Sequence, residues 1–207
     1  MKSIKVLSSV IVLTLVIYSC GSNKNGKEYL NEWKFTENID KAKIVTTDQE
    51  SGKMFDILTS KTTGIKFNNE LIETFDLNYY RYGYSYNGAG VGVGDFNNDG
   101  LQDLYFCGNV VPDRIYLNKG NLQFEDITAT SGINGKPGWS TGVTVVDINE
   151  DGLQDLYVCR ARYEDAEKRR NLLYINNGDN TFTEKAKEYG IDDDSYSTHA
   201  NFFDADN

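Results

Sequence analysis

The feature that most narrows what this chain can fold into is an acidic segment that occurs twice. Asp95-Phe-Asn-Asn-Asp-Gly-Leu-Gln-Asp-Leu-Tyr105 returns 52 positions later as Asp147-Ile-Asn-Glu-Asp-Gly-Leu-Gln-Asp-Leu-Tyr157, changed only where Ile148 replaces Phe96 and Glu150 replaces Asn98. Each copy has the same neighbours. A run of small and apolar residues precedes it, at 90–94 and 142–146, and apolar runs follow at 104–107 and 156–159, then at 115–117 and 173–175. These runs are short and bounded by Gly, Asn and Asp, as strands are. Asn118-Lys-Gly-Asn121 and Asn176-Asn-Gly-Asp179 supply hairpin turns in which glycine can take positive φ. Fourth strands are expected around Phe124 and Phe182, and each unit closes on Gly-Ile, at Gly132 and Gly190.

Four short strands per period of about 50 residues predict an all-β chain built from β-propeller blades, sheets that bury both faces only when neighbours stack on them. The expected organisation is blade 1 at 87–139, blade 2 at 140–196 and the start of a blade 3 at 197–207, roughly two blades and a beginning. A closed propeller needs at least about four blades, so the chain is expected to be an N-terminal fragment of a longer protein. The second unit is the longer one, and its extra residues fall at 160–170, which predicts a charged, solvated loop excursion.

Oxygen-bearing side chains at positions 1, 3, 5 and 9 of a tight loop, with glycine at 6, converge on a hard cation. The first loop offers Asp95, Asn97, Asp99 and Asp103, and the second Asp147, Asn149, Asp151 and Asp155. The carbonyls of Leu101 and Leu153, at position 7, add a ligand to each. A third loop is matched only at Asp204 and Asp206, so its site is incomplete. Three carboxylates held this close repel one another without a counter-charge. Irregular geometry and mostly protein ligands favour structural calcium over magnesium. An EF-hand would carry Glu at position 12, where this chain has Phe106 and Val158, and would need flanking helices.

In these loops, and in the Gly-Val-Gly-Val-Gly before Asp95, the sequence resembles the FG-GAP/VCBS repeat of integrin-alpha-type propellers. With Thr63-Gly-Ile-Lys-Phe-Asn-Asn-Glu70 and Tyr86-Asn-Gly-Ala-Gly90 it is similar to bacterial relatives of cartilage acidic protein that carry an ASPIC/UnbV domain downstream. The resemblance spans residues 55–207 and implies a seven-bladed, calcium-stabilised, surface-exposed propeller without established catalytic residues.

The N-terminus is an export address. Lys2 and Lys5 precede an apolar run over 6–18 that is too short to span a bilayer, and Ile17-Tyr-Ser-Cys20-Gly21 resembles a bacterial lipobox with Cys20 as the acylated residue. Residues 1–19 are therefore read as a lipoprotein signal peptide. Residues 20–52 are read as a polar tether, and 53–86 as a lead-in segment with a Tyr-rich strand. The implied location is the bacterial cell envelope, lipid-anchored, at the outer membrane. Alternation of Tyr80, Tyr82, Tyr84 and Tyr86 places four phenols on one strand face, buried between blades or, alternatively, exposed for glycan stacking. Trp139 is expected to pack between blades.

With 31 acidic and 21 basic residues, a net charge of −10 excludes a phosphate-tracking nucleic-acid surface. A single histidine, His199, excludes a multi-histidine zinc or haem site within the chain. Cys107 and Cys159 occupy equivalent strands about 10 Å apart, too far for a disulfide, and are expected to be buried small hydrophobes. The function these features predict is a calcium-stabilised, lipid-anchored envelope module that binds a protein or glycan and is not an enzyme. The alternatives are the non-binding domain of a polysaccharide-active enzyme, for which His199 is the lone candidate base, or an adhesion or assembly subunit.

Overall fold

A computed structural model describes residues 55–133 and 138–205, all within one compact unit, Phe55–Asn207. The signal peptide, the tether, Cys20 and Asp206 lie outside the described residues. Two four-stranded antiparallel sheets form the core. The first runs β1 (Val91–Gly94), β2 (Asp103–Phe106), β3 (Arg114–Asn118) and β4 (Phe124–Asp126). The second runs β5 (Ser140–Val146), β6 (Asp155–Arg160), β7 (Leu172–Asn176) and β8 (Phe182–Glu184). Three one-turn helices complete the elements among the described residues: α1 (Ser60–Thr63), α2 (Ala166–Arg169) and α3 (Ala186–Tyr189). Each sheet is a meander whose strands neighbour in chain order, so each is one propeller blade, as the repeat predicts.

Side-chain alternation along the strands decides which blade covers which face. Tyr105, Cys107, Ile115 and Leu117 of the first sheet meet Leu156, Val158, Leu172 and Tyr174 of the second in one buried cluster. The opposite face of the second sheet carries Tyr157, Cys159, Leu173 and Ile175, covered by Ala186, Ile148, Ile191 and Ala200. At about 1.5–3 kcal/mol for each fully buried large apolar side chain, the inter-blade faces dominate stability. Cys107 and Cys159 are buried, unpaired thiols on opposite sides of the second sheet, in agreement with the expectation that they form no disulfide.

Polar joints align the blades. The Asp113 carboxylate accepts from Gly108 N (2.7 Å), the Tyr105 hydroxyl (2.7 Å) and the Ser140 hydroxyl of the next blade (2.9 Å). Burial pushes this carboxyl above the usual range, opposed by those three donors and by the charge of buried Arg160. One repeat later Asn171 does the same work as an amide. It accepts from Arg160 N (2.8 Å) and donates to the Tyr157 hydroxyl (3.0 Å) and to Ser197 Oγ (3.0 Å). Residues 197–205 form no strand, but Ser197 stands toward Asn171 as Ser140 stands toward Asp113.

The tail of one unit also seals the next. A Cβ on Gly132 (φ +79°) would lie 2.5 Å from the Phe182 carbonyl oxygen, and one on Gly64 (φ +80°) would lie 2.6 Å from that of Phe124. Thr63-Gly64-Ile65 therefore sits against β4 as Ser131-Gly132-Ile133 sits against β8. Beyond it, Phe67 stacks on Phe106 at 5.1 Å, covering the outer face of the first sheet.

Two sequence expectations need correction. Residues 78–87 are consecutive turns and form no Tyr-rich strand. Asn78 brackets them: its Oδ1 accepts from Arg81 N, its Nδ2 donates to the Thr74 and Phe75 carbonyls, and its own carbonyl accepts from Tyr82 N. Local side-chain bonds of this kind outcompete a strand. Tyr80, Tyr84 and Tyr86 are accordingly exposed, and Tyr82 half-buried against Trp139. The 160–170 excursion is likewise anchored, not freely solvated. Arg160 ends β6 and is buried, Arg169 donates to the carbonyls of Asp194, Tyr163 and Glu164, and Arg170 bonds Asp192 and Glu167.

Candidate functional site

Each acidic loop is the hairpin turn between the first two strands of its blade, closed by the pairs Gly94↔Asp103 and Val146↔Asp155. Reversing the chain here requires left-handed backbone at positions 4 and 6. Asn98 and Glu150 take φ 56° and 58°, and Gly100 and Gly152 take 87° and 84°. The turned chain aims its amides at the side chains of positions 1, 3 and 5. Asp95 accepts from Asp99 N (3.0 Å) and Gly100 N (2.8 Å), Asn97 from Asp99 N (3.1 Å), and Asp99 from Leu101 N (2.8 Å). The second loop repeats the ladder with Asp147 on Asp151 N (3.1 Å) and Gly152 N (2.9 Å), Asn149 on Asp151 N (3.2 Å), and Asp151 on Leu153 N (2.8 Å). Each of these oxygens spends one lone pair on an amide and keeps a second.

Position 9 is different. Asp103 and Asp155 are fully buried, and both oxygens of each accept backbone N–H groups. Asp103 takes Phe96 N (2.8 Å) and Asn118 N (2.7 Å), and Asp155 takes Ile148 N (3.1 Å) and Asn176 N (2.8 Å). They brace the loop to the third strand. Burial raises both carboxyls above the usual range, with the neighbouring loop aspartates adding to the effect and the amide donors opposing it. Among the described residues, no Lys, Arg or His pairs with any of the six loop aspartates.

The structure thus brings positions 1, 3 and 5 together at each tip, with position 9 behind them. In this amide-bonded conformation no group of three His, Cys, Asp or Glu side chains among the described residues is arranged as a metal cluster. The donor set nonetheless suits a hard cation, because it is all oxygen, anionic and uncompensated. Leu101 is exposed and Leu153 half-buried at the loop rims, and Asp204 is exposed. His199 is exposed, with its Nε2 3.2 Å from Asn201 Oδ1.

Several functional contacts escape a reading of the loops alone. Gln154 Oε1 accepts from Asp95 N (2.7 Å), and Asn176 Nδ2 donates to the Phe96 carbonyl (2.7 Å), so the second blade holds the first loop. Asn118 and Asn176 were visible in the sequence only as turn residues. Their recurrence at the head of each unit's glycine turn, Asn118-Lys-Gly and Asn176-Asn-Gly, was the available signal.

Comparison with known proteins agrees with this geometry. Residues 95–158 match the model of the FG-GAP-like repeat family. Cartilage acidic protein 1 of Homo sapiens is 32% identical over 97 residues, an alignment covering 43% of this chain and 14% of that protein. The chain therefore spans only a small part of that curated relative's length.

Proposed function

We propose that this FG-GAP repeat protein is a non-enzymatic binding module whose blades are locked by calcium in their first hairpins, and that acylated Cys20 holds it at a bacterial cell envelope. One observation carries the metal reading: two loops 52 residues apart build the same ladder of carboxylate and amide oxygens, with no cationic side chain among the described residues to offset them. Asp95, Asn97, Asp99 and the Leu101 carbonyl would hold one ion, with Asp103 behind, and Asp147, Asn149, Asp151, Leu153 and Asp155 the other. The ion supplies the missing positive charge, and the chain's own work is to preshape the turn through Gly100 and Gly152 and to brace it through the position-9 aspartates. The anchor rests on the sequence of residues 1–21 alone.

Ions that bind only the folded state stabilise it by mass action, about 2.7 kcal/mol per site at a hundredfold excess over Kd. For a domain of this size that is a rise in Tm of about 5–10 °C per site. The test is a thermal melt of the full chain in chelator and in millimolar calcium, with Asp95→Ala and Asp147→Ala each expected to remove about half the rise. Identical melts in both buffers would overturn the metal reading. Palmitate labelling that persists in Cys20→Ser would overturn the anchor.

A further inference from the structure

A groove of about 890 Å³ opens where the inner strands begin, at the end of the blades opposite the acidic loops. β1 runs from Val91 at the groove to Gly94 beside Asp95, about 10 Å at 3.3 Å per residue. The turns of 78–87 form one wall and the 196–199 segment the other, with buried Trp139 beneath. Two exposed phenols stand across it, Tyr84 at 67% and Tyr196 at 59% exposure, the Tyr196 ring carrying the Arg169 guanidinium 4.8 Å from its centroid and leaving its other face for a ligand. Tyr82 lies between Tyr84 and Trp139, with ring centroids at 5.8 and 5.3 Å, and keeps the rings edge to face. The Arg81 guanidinium is held 4.6 Å over the Phe75 ring, and Asn87 and His199 add planar polar groups.

The charge of this groove runs against that of the protein. On a chain of net charge −10, no Asp or Glu among the described residues lines it, and Arg81 gives it positive charge. Rigid amphipathic rings offer a stacking surface with a hydroxyl at the rim, while a preset guanidinium fork matches a carboxylate. Pyranose rings present apolar C–H faces edged by hydroxyls, so a sugar chain satisfies both kinds of surface. We propose that this groove binds an acidic polysaccharide, Tyr84 and Tyr196 stacking on pyranose faces and Arg81 pairing with a uronate carboxylate. This deepens the binding-module reading and rests on it, but not on the metal.

The experiment is calorimetric titration of the full chain with a β-linked glucuronate oligosaccharide, its neutral glucose counterpart and poly-L-glutamate. Arg81 and Tyr84 are exposed, so their variants keep the fold, checked by an unchanged melt. Arg81→Ala and Tyr84→Ala are each expected to weaken the glucuronate at least about tenfold, while Tyr84→Phe retains binding and the neutral sugar binds less well than the acidic one. Failure to bind glucuronate, with the calcium-dependent melt intact, overturns the groove and leaves the metal reading standing. Poly-L-glutamate binding that falls with Arg81→Ala but not with Tyr84→Ala also overturns it, by making the groove a site for acidic peptides.

Discussion

Gly132→Ala measures how closely the tail of one blade is pressed on the next. Two costs are superimposed at this position. The left-handed backbone, φ +79°, charges an L-residue about 1–2 kcal/mol. The new methyl would also sit 2.5 Å from the Phe182 carbonyl oxygen, on a residue tied in place because Phe182 N donates to the Ser131 carbonyl at 2.7 Å. Relieving such a contact by backbone displacement costs a further amount of about 1–3 kcal/mol. Gly120 separates the two costs, since its φ is +82° and a Cβ there meets nothing within 4 Å. Gly120→Ala should therefore lose about 1 kcal/mol and Gly132→Ala about 3 kcal/mol, a difference of about 2 kcal/mol that reports the inter-blade contact alone. Urea unfolding followed by tryptophan fluorescence gives both values from the midpoints, provided the slopes agree. Equal losses in the two variants would refute the argument, because the only difference between the sites is the neighbouring blade.

Other consequences follow from the buried acids and thiols. Asp103→Asn removes an acceptor from one of two buried amides and should cost about 3 kcal/mol even in chelator, whereas Asp99→Asn should be felt only in calcium; melts of both variants in both buffers decide it. The Asp113 carboxyl has a folded pKa above its ordinary value near 3.8. The stability it contributes is therefore complete below that ordinary value and is lost as pH rises through the folded one. Asp113→Asn, the residue already present at the Asn171 joint, should flatten this fall, and a parent-minus-variant difference that stays constant with pH would count against it. Burial pushes the Cys159 thiol up to about 11 and that of Cys107 well above its usual value. Both should resist alkylation at pH 8 until urea is added, as read by mass spectrometry of the labelled peptides.

The blades were legible because their signals are local. Turn glycines, short apolar runs and a repeated loop each fix a few residues at a time, and the strands fall where those signals put them. The position-1, 3 and 5 side chains were legible for the same reason. The brace formed by Asp103 was not, because it depends on two amides, from Phe96 and Asn118, that converge only after the third strand has paired. The Tyr-rich segment misled through its alternation, a period shared by strands and by chance. Asn78, Gly83 and Asn87-Gly88 were the competing punctuation, and Asn78 alone satisfies four backbone groups that a strand would have to give up. Nothing in the spacing of Asp113 and Ser140 foretold that they would bond across a joint.

That joint bears on how near-identical repeats avoid misassembly. Tandem sheets with the same loops and the same apolar faces could stack in the wrong order or on a second copy during folding. The first joint is built on a carboxylate, Asp113, that feels the charge of Arg160, and the second on a neutral amide, Asn171. A second blade docked on another second blade would bring Arg160 to an amide and forfeit the countercharge. One carboxylate exchanged for one amide thus works as a key that tells the first joint from the second.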